Sequence, residues 1–100
     1  MKTKLLAPVH PGEILLEDLM KPLGITANGL SRELRVPVTR ISEIVKGKRA
    51  ITADTALRLG RYFGNTPQFW MNLQTSYALE MTERQSKTEI ERSIYPRKAA

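Results

Sequence analysis

Thr39, Arg40 and Glu43 fall within little more than one helical turn, and Lys46, Lys48 and Arg49 follow directly. A threonine offers a base edge a hydroxyl, or a thymine a methyl contact. A guanidinium forks onto guanine or grips a phosphate, and lysines neutralise phosphates without reading sequence. Glu43 has two readings. It accepts from a cytosine amino group, or it steadies Arg40 from one turn away and so reduces its own cost near phosphates. This chemistry is recognition of a polyanion, with no bond broken.

The charge balance agrees. Sixteen Lys and Arg against ten Asp and Glu give +6 over 100 residues, and Arg32 to Arg49 holds six basic and two acidic residues. Such clustering favours an anionic partner. The single histidine, His10, stands beside Pro11 with no second ligand or nucleophile near it, and fits a helix start better than a metal or acid–base role. Without cysteine there is no disulfide, thiolate metal site or thiol nucleophile. No catalytic residue, metal or cofactor is expected. The absence of a signal peptide or long apolar run points to the cytoplasm and away from the membrane.

The elements that must position these residues read as five helices and no strand before residue 82. HPGEILLEDLMKPLG opens with Pro11 at a first helical position, buries Leu15, Leu16, Leu19 and Leu23, and stops at Pro22 and Gly24. Thr26 caps a second helix over about Ala27 to Leu34, with Leu30 and Leu34 inward. After the short connection RVP, a third helix from about Val38 to Lys46 turns Ile41, Ile44 and Val45 inward, leaving Thr39, Arg40 and Glu43 outward. Thr52 caps a fourth helix that ends at Gly64, and Thr66 with Pro67 starts a fifth that runs to Met81. MKTKLLAPV reads as an extended arm. The sequence after Met81 is polar, so residues 1–82 form the domain and 83–100 a flexible or partner-ordered tail.

Two short helices joined by a tight turn, the second outwardly basic, make a helix-turn-helix, whose second helix enters the major groove of duplex DNA. Thr39 and Arg40 then meet bases or phosphates. Lys46, Lys48 and Arg49 flank the inserted helix, Ala27 and Asn28 offer a helix start to a phosphate, and Val38 touches a thymine methyl or joins the core. Phe69, Trp70, Leu73 and Tyr77 form a stripe on the fifth helix that serves as core, as a dimer interface, or as both. Two blander readings compete. The basic run KGKR is a solvated loop, or the basic face grips an acidic protein or RNA with no preference for one duplex.

The segments HPGEIL, VPVTRISEIVKGKRAITADTALRL and YFGNTPQFWMNLQTSY together resemble the HigA-type antitoxins of the Xre, lambda-repressor-like helix-turn-helix group, and they cover most of residues 10 to 81. That resemblance implies an all-α, five-helix, homodimeric autorepressor on a palindromic operator that neutralises a HigB-like mRNA endonuclease toxin. The alternative is a stand-alone repressor of the same fold. By the same resemblance Thr39 and Arg40 lie in the recognition helix, Asn28 at the phosphate-facing start of the second helix, and Lys46 and Lys48 in a phosphate-facing loop. Two departures stand out. Arg35 occupies a turn position where the group usually has glycine, which asks an arginine for a positive φ. Gly29 inside the second helix costs about 1 kcal/mol relative to alanine.

Overall fold

The computed structural model describes residues 7–98, and every regular element among them is helical. The arm expected at the start therefore lies largely outside the described residues. Helix α1 occupies 11–23. It is α-helical over Pro11–Ile14, widens to π-type hydrogen bonding over Leu15–Met20, and is α-helical again over Lys21–Leu23. The cause is Pro22, whose ring has no N–H to return to the preceding turn and needs room there. The other helices are α2 (Ala27–Leu34), α3 (Val38–Val45), α4 (Ala53–Phe63) and α5 (Pro67–Ser93).

Three threonines start three of these helices in the same way. The hydroxyls of Thr26, Thr52 and Thr66 accept from the main-chain N–H of Gly29, Thr55 and Phe69, at 3.0, 3.5 and 3.1 Å. Each satisfies a donor that the helix leaves unpaired. Gly29 has its reason here, since a Cβ at that position would press to 3.1 Å from the capping Thr26 hydroxyl.

Leu15 and Met20 from α1, Leu30 and Leu34 from α2, Ile41 and Ile44 from α3, Ile51 from the following loop, Ala56 and Leu59 from α4 and Trp70 from α5 form one core. Enclosing each of the larger side chains stabilises the fold by about 1.5–3 kcal/mol. The start of α1 lies so close to the end of α3 that a Cβ on Gly12 would fall 1.8 Å from the Ile44 carbonyl oxygen. Trp70 is fully enclosed, and its Nε1 donates to Asn65 Oδ1 at 2.9 Å. This corrects the placing of Trp70 in a dimer interface, because it has no surface left for a second subunit.

A further difference concerns the end of the chain. Helix α5 does not stop near Met81 but spans 27 residues, Pro67–Ser93, and so runs through the segment read as a tail. Good helix formers fill it, no Gly or Pro interrupts it, and Glu80–Arg84 and Glu89–Ser93 pair along it at i,i+4. Pro96 then disfavours helix in the residues before it, and Ile94 is already extended. The rod lengthens the molecule to 53 × 33 × 23 Å, with a radius of gyration of 16.7 Å. A compact chain of this length would have about 13 Å.

Candidate nucleic-acid interface

The turn between α2 and α3 sets the angle at which α3 leaves the body. Arg35 takes the left-handed conformation, φ 61° and ψ 45°, and Val36 N–H returns to the Ser31 carbonyl at 3.0 Å. The positive φ asked of Arg35 is therefore adopted, at a cost of about 1–2 kcal/mol for a residue with a Cβ. Arg58 offsets it from α4. Its Nη1 donates to the Leu34 carbonyl at 2.8 Å, closing the end of α2. Arg58 was not among the expected site residues, although its i,i+4 spacing from Asp54 was a visible signal.

Helix α3 turns Ile41 and Ile44 fully inward. At about 100° per residue, the arc opposite them carries Thr39, Ser42, Glu43 and Lys46, with Val38 at one edge and Arg40 at the other. Thr39 and Lys46 are exposed, and Val38 is 38% exposed. Ser42, half-buried, also lies on this arc and was not among the expected site residues. Arg40 does not point outward as expected. Its Nη1 donates to Asp54 Oδ2 at 2.6 Å and lies 3.4 Å from Thr55 Oγ1, so it braces α3 against the start of α4.

Asp54 also accepts from Arg58 Nε at 3.0 Å. The hydrogen bond from Arg40, joined by that from Arg58, holds the Asp54 carboxyl below its ordinary range. One carboxylate thus ties α3 and the inter-helix turn to α4. Glu43 does not steady Arg40 either. Its Oε1 accepts from Arg49 Nε at 2.7 Å, with Nη2 at 2.6 Å. That pairing neutralises the one acidic group on the outward arc and fixes the loop after α3. Lys46 and Lys48 flank it, exposed.

His10 holds the far side of this loop. Its Nδ1 accepts from Gly12 N–H at 2.8 Å, which makes it the N-cap of α1, as its place before Pro11 implied. The ring meets Tyr77 edge-on at 4.8 Å, and Gly47 passes beside it. Burial pushes its pKa down, and a hydrogen bond to the Arg49 main chain partly opposes this. A second tie runs from Ile51 N–H to Gln74 Oε1 at 2.8 Å. The basic loop is therefore clamped to α1 and α5.

At the start of α2, Asn28 is exposed, whereas Ala27 packs partly on the core and can offer only its main chain. On α5, Phe69 is 41% exposed, while Leu73 and Tyr77 are half-covered by the body. Among the described residues no cluster of acidic and histidine side chains could hold a metal, and no helix is long and apolar enough to cross a membrane.

A helix-turn-helix family model matches residues 16–70. Virulence-associated protein I of Dichelobacter nodosus is 52% identical over 80 residues, spanning 80% of this chain and 74% of that protein. Among solved structures, an addiction module antidote protein of the HigA family from Coxiella burnetii superposes with a TM-score of 0.86 at 46% identity, covering 92% of this chain and 100% of the other. Pseudomonas aeruginosa antitoxin HigA with the higBA promoter gives a TM-score of 0.87 at 43% identity, covering 89% and 97%.

Proposed function

The chain belongs to the helix-turn-helix family and, within it, to the HigA-type antitoxins; from that premise we propose that it represses its own operon by inserting α3 into the major groove, and that it neutralises a HigB-like toxin. The observation that carries the DNA reading is the outward arc of α3. Thr39 and Ser42 stand there without a competing free charge, because Glu43 is occupied by Arg49. Phosphates on either side of the groove meet Lys46, Lys48 and the start of α2 at Asn28. Val38 adds an apolar edge suited to a thymine methyl.

In this reading Thr39 leads base contact and Arg40 acts one step back, as the strut that sets the pitch of α3. Arg40→Ala and Asp54→Ala should then weaken binding to the duplex upstream of the gene in parallel. A competing role, in which Arg40 leaves Asp54 to grip DNA, predicts that Asp54→Ala strengthens binding. Fluorescence anisotropy on both variants separates the two.

A protein acting on its own promoter works in the cytoplasm as a homodimer, with two α3 helices about 34 Å apart meeting a palindromic operator. Its role is non-catalytic. The toxin is supported by the antitoxin family alone. Co-expression with the product of the adjacent gene tests it: growth rescue and a complex that survives purification are expected. No basic toxin frame beside the gene, with operator binding intact, would favour a stand-alone repressor.

A further inference from the structure

His10 is the one imidazole of the sequence, and it packs against the loop that carries Lys46, Lys48 and Arg49, with Gly47 passing beside the ring. Its two nitrogens have different duties. Nδ1 accepts from Gly12 N–H at 2.8 Å, so the ring proton is on Nε2, the nitrogen left to donate to the Arg49 main-chain carbonyl. The loop's other ties run from Gly47 N–H to the Ile44 carbonyl, from Lys48 N–H to the Glu43 carbonyl and from Ile51 N–H to the Gln74 side-chain amide. Those three acceptors do not titrate. The tie through His10 does.

We propose that His10 is the positioning residue of the phosphate-facing loop, and that adding a proton to its ring loosens the loop and weakens the hold on DNA; the inference rests on the operator reading above. A second proton has only Nδ1 to occupy, where it meets the Gly12 N–H head-on. Two donors so placed repel, and an imidazolium at a helix start also opposes the helix dipole. The ring must turn, and turning draws Nε2 off the Arg49 carbonyl and breaks the edge contact with Tyr77. Lys48 and Arg49 then lose the anchor that fixes them beside the groove. The charged and titratable side chains of the elements packed there are Glu13 on α1, Glu43 on α3, Lys46, Lys48 and Arg49 on the loop, and Tyr77 on α5. With Arg49 and Glu43 paired, the two lysines outweigh Glu13, so the surroundings do not favour the imidazolium. A bare added charge would do the opposite, drawing phosphates closer, so the direction of the effect decides between the two.

Proton NMR of the single histidine ring reads its protonation directly, and fluorescence anisotropy at fixed salt reads binding, with circular dichroism following the native helix content. From about pH 7.5 down through the imidazole midpoint, affinity should fall about three- to tenfold, the worth of one hydrogen bond. The fall should be the same for the duplex upstream of the gene and for a scrambled one, because phosphate contacts carry no sequence information. By linkage, the midpoint should drop further when duplex is bound. His10→Asn keeps an oxygen for Gly12 but does not reach Arg49, so it should bind at every pH near the level of the protonated native chain. His10→Gln, whose amide extends about as far as Nε2, should recover part of the loss. Native affinity that stays level or rises on acidification, a midpoint raised by duplex, or a His10→Asn profile that follows the native one would each overturn the assignment. A native chain with no preference between the two duplexes at about pH 7.5 would instead defeat the operator reading, so the two failures are told apart.

Discussion

The body around α3 and the rod beyond Tyr77 share one helix but are held by different forces. In the body Leu15, Leu30, Ile41, Ile44, Ile51, Leu59 and Trp70 are enclosed, and polar side chains carry named duties at the turns. In the rod only Met81 and Ser86 are even half-covered among the described residues, and local pairs along the helix do the holding. The contrast teaches where the fold invests its rigidity. Thr39 stands on an over-determined support, whereas the rod is held mainly by its own turns and the pairs along them.

The largest effect should come from the closest packing in the body. Gly12→Ala forces α1 off the Ile44 carbonyl and should cost about 2–5 kcal/mol, read as a lowered denaturation midpoint. A neutral outcome would show the support to be looser than the contrast requires. Next in size, Arg58→Ala uncovers the end of α2 and leaves Arg35 strained, for a loss of about 1–3 kcal/mol. Arg35→Gly in that background should return part of it, because glycine adopts positive φ freely.

A smaller effect follows from His10. Its folded pKa is lowered, so its contribution is fully present above the ordinary imidazole value of about 6.5 and is lost as pH falls through the depressed folded value. Melting temperature should therefore drop on acidification through and below that range. His10→Asn, which keeps a capping oxygen but does not titrate there, should flatten the drop. The smallest effect belongs to the rod: Glu80→Ala removes an exposed ion pair and should change stability by only about 0.2–0.5 kcal/mol. A loss as large as that of Gly12→Ala would erase the distinction between the two regions.

Much of the body was legible from residue types because its determinants are local. Threonine before a helix, glycine after one and the spacing of Ile41 with Ile44 announce caps and a buried stripe. The positive φ of Arg35 was expected from the family resemblance alone, because the group usually has glycine at that turn position. What was not legible depends on which partner a long side chain selects. Arg40 had Glu43 at i+3 in the sequence, yet folding brings Asp54 nearer, and Glu43 is left to Arg49. The stripe of Phe69, Trp70, Leu73 and Tyr77 was correctly seen as apolar, but periodicity alone does not divide a core face from an interface. The extent of α5 was missed because a polar segment was equated with loss of structure, when its helix formers and i,i+4 pairs were already present.

The most direct test of the recognition surface is a salt titration of duplex binding by Thr39→Ala, with Lys48→Ala beside it, on the gene's own upstream DNA and on a scrambled duplex. Thr39→Ala should lose about 1–3 kcal/mol on the first, nothing on the second, and keep its salt slope. Lys48→Ala should weaken both equally and reduce the slope by about one. If Thr39→Ala retains the native preference between the two duplexes, the outward arc of α3 is not what reads the sequence.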